Sequence, residues 1–278
     1  MRPSDDSLAI IAGSGRFPIL VAQEAKRQGR RVVGIGVRGW VHPEFATRVD
    51  VYHELDIGAL GILFERLKRD GVSRVVLAGK VTKQVLLDPA AFDAAGRSLL
   101  ESAPDFSVQA LLGQLGSRLA GEGMTLLDSS SFLQEFLCPA GVLSARPPSA
   151  AEREDVALGV RVAQAITPLD IGQTVVVKRR VVIAVEALEG TDAAIRRAHE
   201  LAGGGLVVVK LGGAAQDRRF DLPVLGLDSI KVCRHSGVTC LALEAGNTLL
   251  LERHAVVAAI DAAGLCALGI EPGAANAP

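Results

Sequence analysis

The first half of the chain alternates short apolar segments with helical patterns, which restricts the folds it can adopt. The apolar segments are bounded by turn residues, as β-strands are, and cover residues 8–12, 32–37, 75–78 and 124–127. Helical patterns lie between the first three of them, at 18–28 and 57–69. Strands that are joined through helices form right-handed crossovers and a parallel sheet. The alternation therefore predicts a Rossmann-like N-terminal domain.

Length and composition predict an α/β protein of two domains. The chain has 278 residues, which is more than one domain usually contains. Hydrophobic residues make up 49% of it and aromatic residues only 4%, a balance that suits alternating strands and helices better than an all-β sandwich. Pro147 and Pro148 lie in a stretch without periodicity and indicate a domain boundary. We expect an N-terminal domain at 1–138, an extended linker at 139–149 and a catalytic C-terminal domain at 150–278.

The second half predicts another α/β domain, with an antiparallel element in a mixed sheet. Ser149 and Glu152 have the spacing of a capping box, which starts a helix at 150–166. Strands at 174–178 and 181–186 are separated only by two arginines, so we expect a hairpin there. The remaining helices are expected at 192–201, 229–235 and 254–263, and the remaining strands at 206–210, at 238–244 and near residue 265.

Charge and cysteine usage indicate which binding partners and which cellular compartment to expect. The formal net charge is -1 at pH 7 and no basic run is interleaved with aromatics, so nucleic acid is not expected as a partner. The four cysteines form no CxxC pair and sit in or beside apolar segments, which predicts buried reduced thiols in the cytoplasm. The N-terminus lacks the basic region of a signal peptide. The longest apolar stretch, 255–270, is too short to span a bilayer, so any membrane contact is expected to be peripheral.

Glycines follow the first predicted strand, and a lysine follows the third. These residues are Gly13, Ser14 and Gly15 in one loop and Lys80 in the other. Ligands of parallel sheets gather at the carboxyl ends of the strands, so the composition of these loops predicts a phosphate-bearing ligand. Two interpretations of the glycine loop stay open: a tight turn that needs glycine for positive φ, and a backbone cradle for a phosphate or ribose. The third glycine of a dinucleotide fingerprint is replaced by Pro18, which argues against NAD.

Two clusters of charged residues follow apolar strands in the second half. The cluster at 216–226 places carboxylates and guanidiniums side by side and contains Pro223 and Gly226. The cluster at 186–192 places acids directly before the start of a helix. Divalent cations and phosphates are matched by carboxylates, arginine, lysine and helix N-termini. Together the two clusters predict a metal-assisted or polyanion-handling centre.

The ordered motifs of the chain resemble those of a known family. They read AGSG at 12–15, LDIGQ at 169–173, AVEALEGTD at 184–192, FDLP at 220–223 and EAG at 244–246. This order is similar to that of the LpxI-type UDP-2,3-diacylglucosamine pyrophosphatases of lipid A biosynthesis, over nearly the whole chain. The family often has a run of glycines where this chain has Ser14, and asparagine where it has Lys80.

The resemblance implies a Mg²⁺-dependent hydrolase with its substrate between two domains. It implies that UDP-2,3-diacylglucosamine is split into UMP and 2,3-diacylglucosamine 1-phosphate. The aspartate of the family's DLP motif is needed for activity, and here it corresponds to Asp221, which stands directly before Leu-Pro. It also implies a cytoplasmic protein that contacts the inner-membrane surface peripherally, and a homodimer stays open.

Asp221 is suited to ligating a metal or to positioning water. Mg²⁺ offsets negative charge and positions water when one or two carboxylates and the phosphates themselves bind it. An aspartate with an ordinary pKa of about 3.9 is a poor general base at pH 7 unless burial raises that pKa. A turn carboxylate paired with Arg218 or Arg219 is the alternative interpretation of Asp221.

Further acids follow the strand that precedes the helix at 192–201. Glu189 and Asp192 are the next candidates for metal ligands, and Asp192 is also a candidate catalytic residue. Glu186 ranks after these two. Thr191 and Asp192 have an alternative interpretation as a helix cap with a dipole-matched acid.

The remaining candidates have side chains suited to the uracil edge, the ribose or the diphosphate. The predicted substrate-binding residues are Gly13, Ser14, Gly15, Lys80, Gln173, Thr191, Lys210 and Glu244. Two rival functions stay open. One is a non-catalytic sugar-nucleotide or lipid-binding protein, and the other is a nicotinamide-dependent oxidoreductase.

Overall fold

The computed structural model describes residues 7–81, 89–104, 108–212, 219 and 222–271. The chain divides into two compact units. The first consists of the residues up to Leu133 together with Arg219, and the second begins at Gln134. Each unit contains its own sheet with helices packed on it, so the predicted α/β fold class is confirmed.

The first unit is built on a five-stranded parallel sheet. Its strands are β1 (Ser7–Ala12), β2 (Arg31–Val37), β3 (Val51–Leu55), β4 (Arg74–Ala78) and β5 (Thr125–Leu126). They lie in the order β3-β2-β1-β4-β5, with every pair parallel. Its helices are α1 (Phe17–Arg27), α2 (Leu60–Arg69), α3 (Ala94–Ser102) and α4 (Val108–Gly121). This is the Rossmann-like arrangement that the alternating pattern predicts.

The core of the first unit lies between the sheet and its helices. Ala9 and Val33 from the sheet, Leu67 from α2 and Leu119 from α4 are fully buried in one cluster. The sequence did not predict β3, α3 or α4. β3 is an edge strand whose residues VYHEL are only partly buried, so its apolar signal is weak.

The second unit is built on a six-stranded mixed sheet. Its strands are β6 (Gly141–Val142), β7 (Thr174–Lys178), β8 (Val181–Val185), β9 (Leu206–Lys210), β11 (Val238–Glu244) and β13 (Cys266–Ile270), and a separate pair consists of β10 (Val224–Leu225) and β12 (Leu249–Leu250). The order in the large sheet is β6-β13-β11-β9-β7-β8. Strands β9, β11 and β13 are parallel to one another, and β7 is antiparallel to both β8 and β9. The mixed sheet and its antiparallel element are therefore confirmed.

Helices cover both faces of the mixed sheet. They are α5 (Ala150–Ile166), α6 (Thr191–Ala202), α7 (Leu227–His235) and α8 (Arg253–Ala262). One buried cluster includes Ile195 of α6 and Ile230 of α7, and the other includes Val160 and Ala163 of α5. All four cysteines are buried in these clusters and none is in a disulfide, which confirms that they act as small core residues.

The start of α5 follows the sequence prediction closely. The Ser149 side chain accepts a hydrogen bond from the Glu152 backbone N–H, and the Glu152 carboxylate accepts one from the Ser149 N–H, which is a complete capping box. Residues 139–149, predicted as an extended linker, include β6, which pairs antiparallel with β13. Two residues of the segment, Gly141 and Val142, are therefore part of the second unit's sheet.

The hairpin between β7 and β8 is confirmed, with two arginines in its loop. Arg179 and Arg180 have φ values of 50° and 60°, the left-handed region that two-residue hairpin loops require. Their backbone N–H groups donate to the two carboxylate oxygens of Asp155 at 3.0 and 2.5 Å. Asp155 of α5 therefore stabilises a turn for which arginine is an unusual residue.

Candidate active site

Several strands of the second unit end at one edge of its sheet. β8 ends there at Val185, β9 at Lys210 and β11 at Glu244, and the antiparallel β7 begins there at Thr174. Helix α6 begins at the same edge with Thr191, whose side chain contacts both Thr174 and Lys210. Carboxyl ends of parallel strands are where α/β sheets bind their ligands. This edge is therefore the candidate active site of the second unit.

A hydrogen-bond network joins the strand ends to the helix. Lys210 is only 6% exposed and donates from Nζ to Oγ1 of Thr191 over 2.9 Å. Thr191 donates to Oε1 of Glu186 over 3.0 Å, and its Oγ1 lies 3.2 Å from Oγ1 of the fully buried Thr174. A buried ammonium needs polar partners because its desolvation is costly. The network thus connects a buried cation to a carboxylate through one hydroxyl group.

The chain directly after β9 is bonded on both sides. The Leu211 N–H donates to the carbonyl oxygen of Gln173 over 3.0 Å, and the Gly212 N–H donates to Oε2 of Glu244 over 2.7 Å. The same Glu244 oxygen accepts from Nδ2 of Asn247 over 2.9 Å. Gln173 and Glu244, both predicted from sequence, therefore lie beside the end of β9.

The acids that precede α6 have different surroundings. The Glu189 carboxylate accepts from the Ala187 N–H and forms an ion pair with Arg197. Backbone hydrogen bonding and then this arginine lower the pKa of Glu189 below its usual value. Asp192 lies in the first turn of α6. Burial, and then the negative charge of Asp192, raise the pKa of the Cys233 thiol on α7 to about 12. Glu189 thus has an ion-pair partner, whereas Asp192 lies near a thiol that does not offset its charge.

The glycine loop of the first unit contacts the loop after β4. Gly13 N–H donates to Ala78, and Ser14 and Lys80 exchange backbone hydrogen bonds, with the Ser14 hydroxyl also donating to the Lys80 carbonyl. A Cβ on Gly13 would lie 2.6 Å from that carbonyl oxygen, and Gly15 has a φ of 91°. Close approach and positive φ therefore account for both glycines. The Lys80 side chain is exposed.

Asp221 and Asp217 lie outside the described residues. The described neighbours along the chain are Gly212 before them, Arg219 between them and Leu222 after them, with Leu222 buried. The Pro223 carbonyl oxygen then accepts from the Leu249 N–H at the start of the β10–β12 pair. The role of Asp221 stays a prediction.

Comparison with known proteins identifies the family. A model of the LpxI N-terminal domain matches residues 7–136, and a model of the LpxI C-terminal domain matches residues 139–268. The chain belongs to the LpxI family. A relative from Caulobacter vibrioides, described as UDP-2,3-diacylglucosamine pyrophosphatase LpxI, is 34% identical over 280 residues, covering 95% of this chain and 98% of the relative.

One solved structure also aligns with this LpxI chain. It is the biotin carboxylase domain dimer of the 2-oxoglutarate carboxylase from Hydrogenobacter thermophilus, in complex with MgADP, ADP and bicarbonate. The TM-score is 0.27 and the identity 10%, over 70% of this chain and 41% of that chain. A likeness this weak carries no argument about fold or function.

One contact of the LpxI chain was not indicated by its sequence. Ser129, which is 1% exposed in the loop after β5, lies with its Oγ 3.0 Å from the carbonyl oxygen of Leu77 and 3.0 Å from that of Arg219. Arg219 stands two residues before Asp221 in the sequence. A lone serine after an apolar strand gives no sequence signal, since its role depends on a residue far away along the chain.

The described carboxylates at this edge of the second unit's sheet are chemically suited to Mg²⁺. Among the described residues, no group of three or more His, Cys, Asp or Glu side chains lies close enough to bind a metal ion. Mg²⁺ is usually bound by one or two carboxylates and by substrate phosphates, so it does not need such a group. Oε2 of Glu186 and Oδ1 of Asp192 are buried and have no hydrogen-bond partner within the described ranges. Buried carboxylate oxygens of this kind fit a hard divalent cation.

In the part of the chain that the structure describes, no helix combines the length and apolar character needed to cross a membrane.

Proposed function

We propose that this chain hydrolyses the diphosphate of UDP-2,3-diacylglucosamine and releases UMP and 2,3-diacylglucosamine 1-phosphate in lipid A biosynthesis. The observation that carries the proposal is the match to both LpxI domains in order, with 34% identity to the Caulobacter pyrophosphatase over 95% of the chain. The protein is on this basis a hydrolase. Neither of the two rival functions is favoured by a described contact.

The strand edge of the second unit supports a role in phosphate chemistry. Attack of water on phosphorus increases the negative charge on the phosphoryl oxygens, so positive groups that are already in place accelerate it. Lys210 provides such a charge in a buried setting, where the lower dielectric strengthens its attraction for an anion. The N-terminus of α6 begins beside it, and helix N-termini favour anions. We expect the Lys210 ammonium to contact the diphosphate.

Mg²⁺ is part of the proposal as the cofactor. Asp221 is the principal carboxylate expected to bind it, and Asp192, Glu189 and Glu186 are the further carboxylates along this part of the sequence. Bound Mg²⁺ would offset phosphoryl charge and polarise water. Because Arg197 already pairs with Glu189, Glu186 and Asp192 are favoured by their unpartnered oxygens in the described part of the chain.

The substrate suggests where the protein works. A diacylated sugar nucleotide carries two acyl chains, and acyl chains favour burial in a bilayer, so we propose a cytoplasmic protein that contacts the inner membrane peripherally. A homodimer is also an expectation, and its measurement is the molar mass in solution.

The first experiment measures UMP release from UDP-2,3-diacylglucosamine by the purified chain. We expect turnover that requires Mg²⁺, that EDTA abolishes and excess Mg²⁺ restores. Asp221→Ala should lower kcat by at least roughly 100-fold, as losing one charge-stabilising group in an active site does. Asp228→Ala is the matched control, because Asp228 is an exposed aspartate of α7 paired with Lys231.

The outcome also separates the rival functions. Tight binding of the substrate without UMP release would favour the sugar-nucleotide-binding protein. Thermal stabilisation by NAD, without UMP release, would favour the oxidoreductase. Wild-type activity in Asp221→Ala would contradict the role assigned to that aspartate.

A further inference from the structure

The Thr191 hydroxyl is fully occupied within the protein. A hydroxyl group has one proton to donate and two lone pairs that accept. An ionised carboxylate only accepts, so Thr191 donates its proton to Glu186, and an ammonium only donates, so Thr191 accepts from Lys210. The second lone pair faces Thr174 at 3.2 Å, so the Thr174 hydroxyl donates. One arrangement of protons therefore satisfies all three contacts.

This occupancy changes the role expected for Thr191. The sequence predicted Thr191 as a substrate-binding residue, which would need a donor or a lone pair directed at the ligand. The geometry points to Thr191 as a positioning residue instead, which fixes the Lys210 ammonium where it meets the diphosphate. Glu186 and Thr174 determine the direction of the Thr191 hydroxyl. The inference rests on the proposed diphosphate hydrolysis.

The lysine side chain explains why such positioning is useful. Lysine has a flexible stem of four carbons and a terminal charge, and ordering it costs conformational entropy. A hydrogen bond from Nζ to a hydroxyl that is itself oriented by two neighbours reduces the number of positions that the ammonium can adopt. The lysine side chain then loses its conformational entropy when the protein folds, before the substrate binds.

A purely structural network would behave differently when its polar atoms are removed. Removing one partner of a buried hydrogen bond leaves the other partner unsatisfied, which lowers stability whether or not the group takes part in catalysis. Valine has the shape of threonine without the hydroxyl. If the Thr191 hydroxyl is only structural, Thr191→Val should lower the melting temperature, while kcat measured well below that temperature should stay close to wild type.

The decisive variants are Thr191→Val, Thr191→Ser and the control Thr239→Val. Serine retains the hydroxyl, and Thr239 is a threonine of the same sheet whose Oγ1 is 3.5 Å from the Leu206 carbonyl at the opposite end of β9. Hydrogen-bond partners that orient a metal ligand are typically worth roughly 10- to 100-fold, and we expect a kcat loss of that order for Thr191→Val. KM should change by less than about threefold, because the charge on the diphosphate grows in the transition state. Thr191→Ser and Thr239→Val should remain near wild type.

A double-mutant cycle shows whether Thr191 acts through Lys210. Lys210→Met removes the ammonium and keeps a long apolar side chain. In the Lys210→Met background, Thr191→Val should cause little further loss of kcat, since the group it positions is gone. Losses that multiply would mean that Thr191 acts on the substrate independently of Lys210, which would overturn the inference.

Three other results would overturn it as well. These are wild-type kcat in Thr191→Val, an equal loss in Thr191→Ser, and a fall in the melting temperature of Thr191→Val large enough to account for the lost activity. If the wild-type protein releases no UMP, the proposed function fails, and the inference fails with it. Activity in wild type with unaffected Thr191→Val identifies a failure of the inference alone.

Discussion

At the scale of single residues, the charged groups of the second unit divide into structural pairs and candidate active-site groups. Glu152 belongs to the first kind. Its carboxylate accepts two hydrogen bonds from the Arg146 guanidinium at 2.9 Å, and Arg146 also donates to the carbonyl oxygens of Thr239 and Gly264. The pair therefore connects the segment before α5 to the end of the sheet.

The Arg146–Glu152 pair predicts a pH dependence of stability. The Arg146 hydrogen bonds, against the opposing effect of burial, lower the pKa of Glu152 from 4.5 to about 2. A carboxyl with a depressed folded pKa contributes stability that is complete above its unfolded pKa and is lost as pH falls towards the folded pKa. The contribution, up to about 3 kcal/mol, should therefore disappear between pH 4.5 and about 2.

Urea unfolding of Glu152→Gln measures this contribution. We expect the variant to be about 2–3 kcal/mol less stable than wild type at pH 7, with the difference shrinking as the pH falls through that window. Glu154→Gln is the control on the same helix, because its carboxylate is exposed and its ion pair with Arg180, at 3.5 Å, is solvent-exposed and longer than the Arg146–Glu152 contacts. A difference that is the same at pH 7 and pH 3 would rule out the ion pair as its source.

At the scale of secondary-structure elements, turns with positive φ determine how strands are joined. The loop between β7 and β8 places two arginines in a conformation that L-residues with side chains rarely adopt, at roughly 1–2 kcal/mol per residue. Its stability depends on the two N–H groups that donate to Asp155. The sequence predicted the hairpin from the spacing of the strands, although neither loop residue is usual in such a turn.

Exchange of the loop residues tests this account of the hairpin. Arg179→Asn combined with Arg180→Gly should raise the free energy of unfolding by about 1 kcal/mol, because these residues adopt positive φ more readily. Asp155 can keep both hydrogen bonds, since they involve the backbone. Thermal and urea unfolding provide the measurement. A lower stability in the double variant would mean that the arginine side chains contribute more than the turn strain costs.

At the scale of the whole molecule, the first unit includes a residue that lies within the second unit's stretch of the sequence. Arg219 follows β9 of the second unit along the sequence, yet it belongs to the first unit, where Ser129 contacts its carbonyl oxygen. The residue that the family motif assigns to activity comes two positions later. Ser129 therefore contacts a residue, Arg219, that lies close along the chain to Asp221.

Removal of the Ser129 hydroxyl should affect catalysis. A small misplacement of a reacting group can cost up to about 100-fold in rate, so we expect Ser129→Ala to lower kcat for UMP release by roughly tenfold. Ser131→Ala is the control, because Ser131 is exposed in the same loop and its hydroxyl donates to the Asp128 carbonyl. Equal activities of the two variants would show that the contact with Arg219 has no catalytic role.

How far the sequence predicts the molecule differs from one element to the next. α1, α5, α6 and the longer strands of the mixed sheet have strong periodicity, buried apolar runs or a capping box, and these signals are local. β3 and β6 are short edge strands, and α3 and α4 lie in a segment where no strand alternation guides the assignment. The elements with a weak sequence signal are those whose stability comes from neighbours distant along the chain.

The sequence by itself determined the α/β class, the Rossmann-like first unit, the mixed sheet of the second and the family, because alternating patterns and ordered motifs are properties of the chain alone. Only the tertiary structure decided which polar residues meet. Thr174, Glu186, Thr191 and Lys210 come together because β8 and β9 end, and β7 and α6 begin, at one edge of a sheet. Ser129 and Arg219 meet across 90 residues for the same kind of reason. Side-chain hydrogen bonds depend on distances of about 3 Å, which a linear pattern does not specify but a packed fold does.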